Sequence, residues 1–262
     1  MMGILNVTPD SFWDGGRWFE TRQAIMRGHE MIAEGADIID VGGESTRPGA
    51  SEVPVEEELA RVVPVVEALA GRVRISIDTT KAAVADAAVE AGASLINDVS
   101  ATLWPVAARH GVGWVAMHRK GTPASMQLDP RYDDVVAEVS ALLVDRAGRA
   151  ADAGVDDVWI DPGIGFGKTV DHNLHLLAAL DTLVATGIPV MVGTSRKGFL
   201  GVLAASPDGT PAPVGERLPG SLATATWAMQ QGAAMVRVHD VAATVQAAVL
   251  VGRKGADTGA GA

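Results

Sequence analysis

Polar residues of the kinds that bind or transform a ligand follow short apolar runs at eight places along this 262-residue chain. Asn6 follows Gly3-Leu5, GGESTRPG follows Ile38-Val41, Asp78 follows Ile75-Ile77, and Asn97-Asp98 follow Leu95-Ile96. Further along, His118 follows Trp114-Met117 and Asp161 follows Val158-Ile160, while Gly193-Thr194-Ser195-Arg196-Lys197 follow Val190-Val192. Arg237-Val238-His239 close the last run, Met235-Val238. The chemistry divides into two kinds. Lys197, Arg237 and His239 form a local basic cluster suited to an anionic ligand. Asp78, Asn97 and Asp161 supply acceptors and a flat amide, the pairing a planar heterocycle with N–H and amino edges would use. Phe166 and Met117 could pack on the faces of such a ring. Any one Asp or Asn behind a strand is more often a helix N-cap than a functional group, but eight strand ends together point to one polar mouth.

The segment DPGIGFGKT, Asp161 to Thr169, is not a nucleotide-phosphate loop. A Walker A loop requires a glycine five residues before the Gly-Lys pair, and Pro162 stands there. The glycine spacing also fails the dinucleotide fingerprint. What remains is a strand-end aspartate on a glycine-rich loop.

The elements that must position these groups are β/α units. Each apolar run is short and strand-like, and helical periodicity marks Val55-Leu69, Lys81-Glu90, Val135-Ala153, Asn173-Leu183, Leu222-Gln231 and Val241-Leu250. Gly35, Gly92, Gly154 and Gly232 read as helix C-caps before the next strand. Eight such units over about 250 residues predict a single α/β domain, a (β/α)8 TIM barrel over 1–252, with an open doubly wound sheet as the alternative. The small, polar residues 253–262 are expected to form a disordered tail. A net charge of -11 and the lack of a long basic run argue against nucleic acid as a partner. With no cysteine, thiolate catalysis and Cys-based metal sites are excluded. No apolar run is long enough for a membrane span, and the N-terminus has no signal-peptide pattern, so a cytoplasmic protein is expected. The six histidines show no zinc-ligand spacing. A magnesium ion carried mainly by a ligand diphosphate remains compatible.

From about Met2 to Val251, the segments GILNVTPDSFWDGG, GADIIDVGGESTRPGA, ISIDTTK, LINDVS, DPGIGFGKT, VGTSRKGF and RVHDV occur in the order found in the dihydropteroate synthase family, which the chain resembles. The resemblance implies a (β/α)8 barrel that condenses 6-hydroxymethyl-7,8-dihydropterin diphosphate with 4-aminobenzoate, releasing diphosphate. It implies that Asp78, Asn97 and Asp161 hold the pterin's polar edge beside Met117 and Phe166, with Gly193 and Val238 also lining the substrate. Lys197, Arg237, His239, Arg47 and Asp14 would be the catalytic groups, with Arg237 and His239 on the diphosphate. Asn6 would reach the accompanying Mg2+, and Phe12, Thr46, Arg47, Pro48 and Ser195 would lie near the aminobenzoate pocket. A homodimer and sulfonamide sensitivity are implied in the same way. Trp13 stands where the family usually has a small residue. The other readings weighed are a different pterin user, such as a methyltetrahydrofolate methyltransferase, and a non-catalytic pterin-binding paralogue.

Overall fold

The computed structural model describes residues 1–8, 16–45, 52–122 and 125–252, with backbone alone over 16–20. The expected tail, 253–262, lies outside the described residues.

Eight parallel strands alternate with helices. They are β1 (Met2–Asn6), α1 (Gly16–Ala33), β2 (Ile38–Gly42), α2 (Val55–Leu69), β3 (Arg74–Asp78), α3 (Ala82–Glu90), β4 (Leu95–Asp98), α4 (Trp104–His110) and β5 (Gly113–Met117). After them come α5 (Val135–Asp152), β6 (Val158–Asp161), α6 (Val170–Ala178), α7 (Leu180–Val184), β7 (Met191–Val192), α8 (Gly198–Leu203), α9 (Leu218–Gln230), β8 (Met235–Val238) and α10 (Val241–Gly252). The strand order is β6-β5-β4-β3-β2-β1-β8-β7, and a parallel bridge between Ile160 and Val190 joins the two ends into a barrel. That bridge disposes of the open doubly wound sheet.

Side-chain alternation explains the two layers. Leu5, Ile39, Val41, Ile75, Ile77, Ile96, Ile160 and Val236 pack into the core shared with the helices. Residues of opposite parity, Met2, Ile38, Leu95, Val115, Met191 and Met235, fill a second cluster inside the barrel. Farther along each strand the same inward parity reaches Asn6, Asp40, Ser76, Asp78, Asn97, Met117, Asp161 and Arg237, so a dry floor carries a polar mouth. The anticipated glycine C-caps hold: Gly35, Gly92, Gly154 and Gly232 have φ of +100°, +116°, +90° and +93°, values that a side chain would strain.

Several boundaries differ from expectation. The stretch expected as one helix over Asn173-Leu183 is two, broken at Ala179 (φ -104°, ψ 26°) and started early by Thr169, whose hydroxyl accepts from His172 N in a capping box. Helix α9 starts at Leu218 rather than Leu222, with Pro219 in its first turn, where the lost N–H costs nothing. Helices α1, α4 and α8 were not among the segments marked by periodicity. Short α8, GFLGVL, has two glycines and no amphipathic face to detect.

Candidate active site

Parallel pairing places strand ends β1 to β4 side by side: Asn6 beside Gly42, Gly42 beside Asp78, and Asp78 beside Asn97. Met117 likewise lies beside Asp161. At the centre of the mouth is an ion-pair network. Arg237 donates from Nε to Asp40 Oδ2 at 2.6 Å and from Nη2 to Asp78 Oδ2 at 2.6 Å, and Asn97 Nδ2 donates to Asp40 Oδ2 at 3.0 Å. Asp40 is fully buried. Sequence reasoning passed over it because it sits within the apolar run Ile38-Ile39-Asp40-Val41; a lone carboxylate at an inward position of a buried strand was the available signal.

Four buried polar atoms in this region have no partner: Asp40 Oδ1, Ser76 Oγ, Asp78 Oδ1 and Asn97 Oδ1. Such atoms are costly unless something else satisfies them, which makes the barrel mouth a receptor for hydrogen-bond donors. Burial pushes the Asp78 carboxyl up to about 7; Arg237 opposes this, while Asp40, Glu58 and Asp98 add to it. Burial also raises Asp161, opposed by Lys197, the Gly163 N–H, Arg237 and Lys168. Burial lowers Lys197 to about 8, with Asp161 pulling it back up. Arg237 moves the other way, held firmly charged by Asp40 and Asp78 despite its burial.

Around the rim, Lys197 Nζ donates to the Ile164 carbonyl and lies 4.5 Å from the Phe166 ring centroid. Ser195 Oγ accepts from His239 N at 3.1 Å and is 3.0 Å from His239 Nδ1, tying the ends of β7 and β8 together. Gly193 faces this corner, where an added Cβ would stand 3.8 Å from Arg237 Cβ and 3.9 Å from Lys197 Nζ. Val238 is buried on the helix side of β8, so its contact with a ligand would be through backbone. The structure therefore brings Asn6, Asp78, Asn97, Met117, Asp161, Phe166, Gly193, Ser195, Lys197, Arg237 and His239 to one end of the barrel. Phe12, Asp14, Thr46, Arg47 and Pro48 lie outside the described residues.

Three members of the expected ring do other work. Asp98 Oδ2 accepts from Thr102 N and Leu103 N, each at 2.6 Å, and from Trp114 Nε1 at 3.2 Å, which makes it a cap. His118 is buried against Lys168 Nζ, 2.9 Å from its Nδ1, and burial first, then Lys168, depress its pKa to about 3. It is a neutral structural acceptor. Arg196 likewise turns to Asp240 in a bidentate pair of 2.8 and 2.5 Å.

The flanks of 46–51 are held by charge. Glu44 Oε1 accepts from Val53 N at 2.7 Å, Lys81 Nζ bridges Glu44 (2.8 Å) and the fully buried Glu58 (2.6 Å), and Arg61 donates to the Gly43 carbonyl at 2.7 Å. No group of three or more His, Cys, Asp or Glu that could hold a metal ion occurs among the described residues. No helix among them is long and apolar enough to cross a membrane.

The model of the family described as "Pterin binding enzyme" matches residues 2–239. A dihydropteroate synthase of Mycobacterium leprae (strain TN) is 48% identical over 261 residues, covering 96% of this chain and 92% of its own. Among solved structures, the Xanthomonas albilineans dihydropteroate synthase with 4-aminobenzoic acid is 47% identical with a TM-score of 0.87, over 95% of this chain and 90% of that one. The same enzyme in complex with 7,8-dihydropteroate aligns with a TM-score of 0.84 at 44% identity, over the same shares of the two chains. The chain belongs to the pterin-binding enzyme family, and within it to the dihydropteroate synthases of folate biosynthesis.

Proposed function

We propose that this barrel joins 6-hydroxymethyl-7,8-dihydropterin diphosphate to 4-aminobenzoate with the residues described above. The observation that carries this reading is the set of unpartnered buried acceptors, Asp78 Oδ1 and Asn97 Oδ1 above all, opposite the cations Lys197 and Arg237. A pterin has the ring N–H and amino donors that such acceptors lack, and its diphosphate needs the cations.

Asp161, Asp78 and Asn97 bind the polar edge of the pterin, while Met117 and Phe166 bound the ring. Lys197 stands between the pterin floor and the second substrate. Arg237 and His239 draw off the charge that develops on the departing diphosphate as the C–O bond breaks, the aniline nitrogen bonds to the same carbon, and the surplus N–H proton passes to solvent. Ser195 holds His239 by its Nδ1 side. By the family resemblance, Phe12, Thr46, Arg47 and Pro48 would lie near the aminobenzoate pocket, and Asp14, with Arg47, would be catalytic.

The donor set fits Mg2+ only as a companion of the diphosphate. Asn6 offers one neutral amide oxygen at the mouth, and no carboxylate cage accompanies it among the described residues. When bound there, the ion would neutralise leaving-group charge. A cytoplasmic homodimer is part of the same reading, and exposed Val202, Leu203 and Trp227 on α8 and α9 are available to a second copy.

The deciding experiment is turnover of the pterin diphosphate with 4-aminobenzoate, with and without Mg2+, in the parent and in Asp161→Ala. The parent should form 7,8-dihydropteroate and the variant should lose tight pterin binding, since each stranded donor costs about 1–3 kcal/mol. Parent-like calorimetric affinity in Asp161→Ala would remove Asp161 from the site.

A further inference from the structure

The lysine of DPGIGFGKT has no part in the chemistry above, yet it is one of the most enclosed cations in the molecule, 3% exposed. Its Nζ lies 2.9 Å from His118 Nδ1 and donates to the carbonyls of Gly163 at 3.0 Å and Phe166 at 3.1 Å, with His118 O at 3.4 Å. Three close acceptors account for the three hydrogens of an ammonium, with the imidazole accepting at Nδ1. The loop it gathers has left-handed backbone at Gly163, Gly165 and Gly167 (φ +64°, +85°, +65°), and its first glycine links lysine to aspartate: Gly163 N donates to Asp161 Oδ1 at 2.7 Å while Gly163 O accepts from Lys168. The same loop presents the Ile164 carbonyl to Lys197 and the Phe166 ring beneath it.

We propose that Lys168 is a positioning residue of the pterin site: its buried ammonium shapes the 162–167 loop around Asp161 and serves as the internal counter-charge for that carboxylate. A loop clasp alone could be built from neutral donors. A cation here does more, because Lys168 is among the groups that oppose the burial-driven rise of Asp161, together with Lys197 and Arg237. Burial lowers Lys168 itself to about 7, Asp161 pulls it back up, and Lys197 and Lys120 add to the lowering, so its ammonium is present on the acid side of 7, where the carboxylate needs it; His118 beside it is neutral. Taking away one positive charge leaves Asp161 easier to protonate, so a ligand that requires the carboxylate is lost at a higher pH.

This inference rests on the pterin reading of the site. The test is calorimetry of 6-hydroxymethylpterin, which has no leaving group, as a function of pH with the parent, Lys168→Met, Lys168→Gln and Lys168→Arg. Lys168→Met and Lys168→Gln should bind at least tenfold more weakly near pH 6, with the Asp161 contribution to the acid limb, which adds to that of Asp78, moved up in pH, and Lys168→Arg should keep the limb at the parent's position. The KM for 4-aminobenzoate should change much less than that for the pterin diphosphate. Lys168→Gln keeps donors for the carbonyls without the charge, so it decides the matter even if Lys168→Met does not fold. Parent-like limbs in the neutral variants, whatever their affinity or melting temperature, would overturn the counter-charge. A parent that did not bind the pterin at all would instead sink the assignment of the site.

Discussion

Titration at the mouth is set by residues that touch one another. Asp78, raised to about 7, offers the ligand a charged acceptor at both oxygens only when ionised, and that form gives way to one carrying an O–H donor as pH falls through 7. Lys197, lowered to about 8, must be protonated to face an anion, and that form disappears as pH rises through 8. The kcat/KM for the pterin diphosphate should therefore follow a narrow bell between these limbs, which report the free enzyme. Lys197→Arg should lose the alkaline limb within the accessible range, because a guanidinium stays charged, at a cost in rate from its different geometry. Asp40→Asn should move the acid limb below 7: Asp40 is one of the charges raising Asp78, and its loss also leaves Arg237 freer to pair with Asp78. A pH–rate profile of the three proteins checks all of this, and an acid limb that rose in Asp40→Asn would contradict the network as drawn.

Elements position these groups through their flanks. Lys81 immediately precedes α3, Glu58 lies in α2 and Glu44 follows β2, so one ammonium connects the β2/α2 and β3/α3 units at the base of the segment bearing Thr46, Arg47 and Pro48. Lys81→Met leaves Glu58 buried without its cation, a change worth about 3–5 kcal/mol. A clear fall in melting temperature is expected, and so is a rise in KM for 4-aminobenzoate larger than that for the pterin diphosphate; equal shifts in both would detach this clasp from the second substrate. In the following loop, Gly163→Ala should abolish pterin affinity, since an added Cβ would collide with the His118 carbonyl on a backbone already at positive φ. Calorimetry on the folded variant checks it. The elements were largely legible in the sequence because strand-length apolar runs and C-cap glycines are local signals. Asp78, Asn97, Asp161 and Lys197 were legible as strand-end residues for the same reason. Asp40 and Lys168 were not: one resembles an interruption in a strand and the other the end of a failed phosphate motif, and only the barrel's register shows that they meet Arg237 and His118. Asp98 misled because a strand-end carboxylate that caps the next turn has the same local sequence as one that faces a ligand.

For the whole molecule, the site straddles the seam at which the barrel closes. Strand β7 has two residues, and it meets β6 through the Ile160–Val190 bridge, where Ile160 N donates to the Pro189 carbonyl at 3.0 Å. By contrast, β1 and β2 pair over five residues, as do β2 and β3. Asp161 and Phe166 lie on the β6 side, and Ser195 and Lys197 on the β7 side. In the empty barrel, Lys197 spans the seam by its bond to Ile164 O and its place over Phe166. A bound pterin held by Asp161 and by Lys197 would add a second connection across the same gap. Free energies of local opening differ between regions of one fold, and a seam with few backbone bonds belongs at the low end. Amides of 190–192 should therefore exchange hydrogen faster than those of 38–42 in the free protein, and saturation with a pterin should slow them selectively. Hydrogen exchange read by mass spectrometry on peptides covering β2 and β7 checks this; equal protection of the two strands in the free protein would show that the short seam is no weaker than the long ladders opposite it.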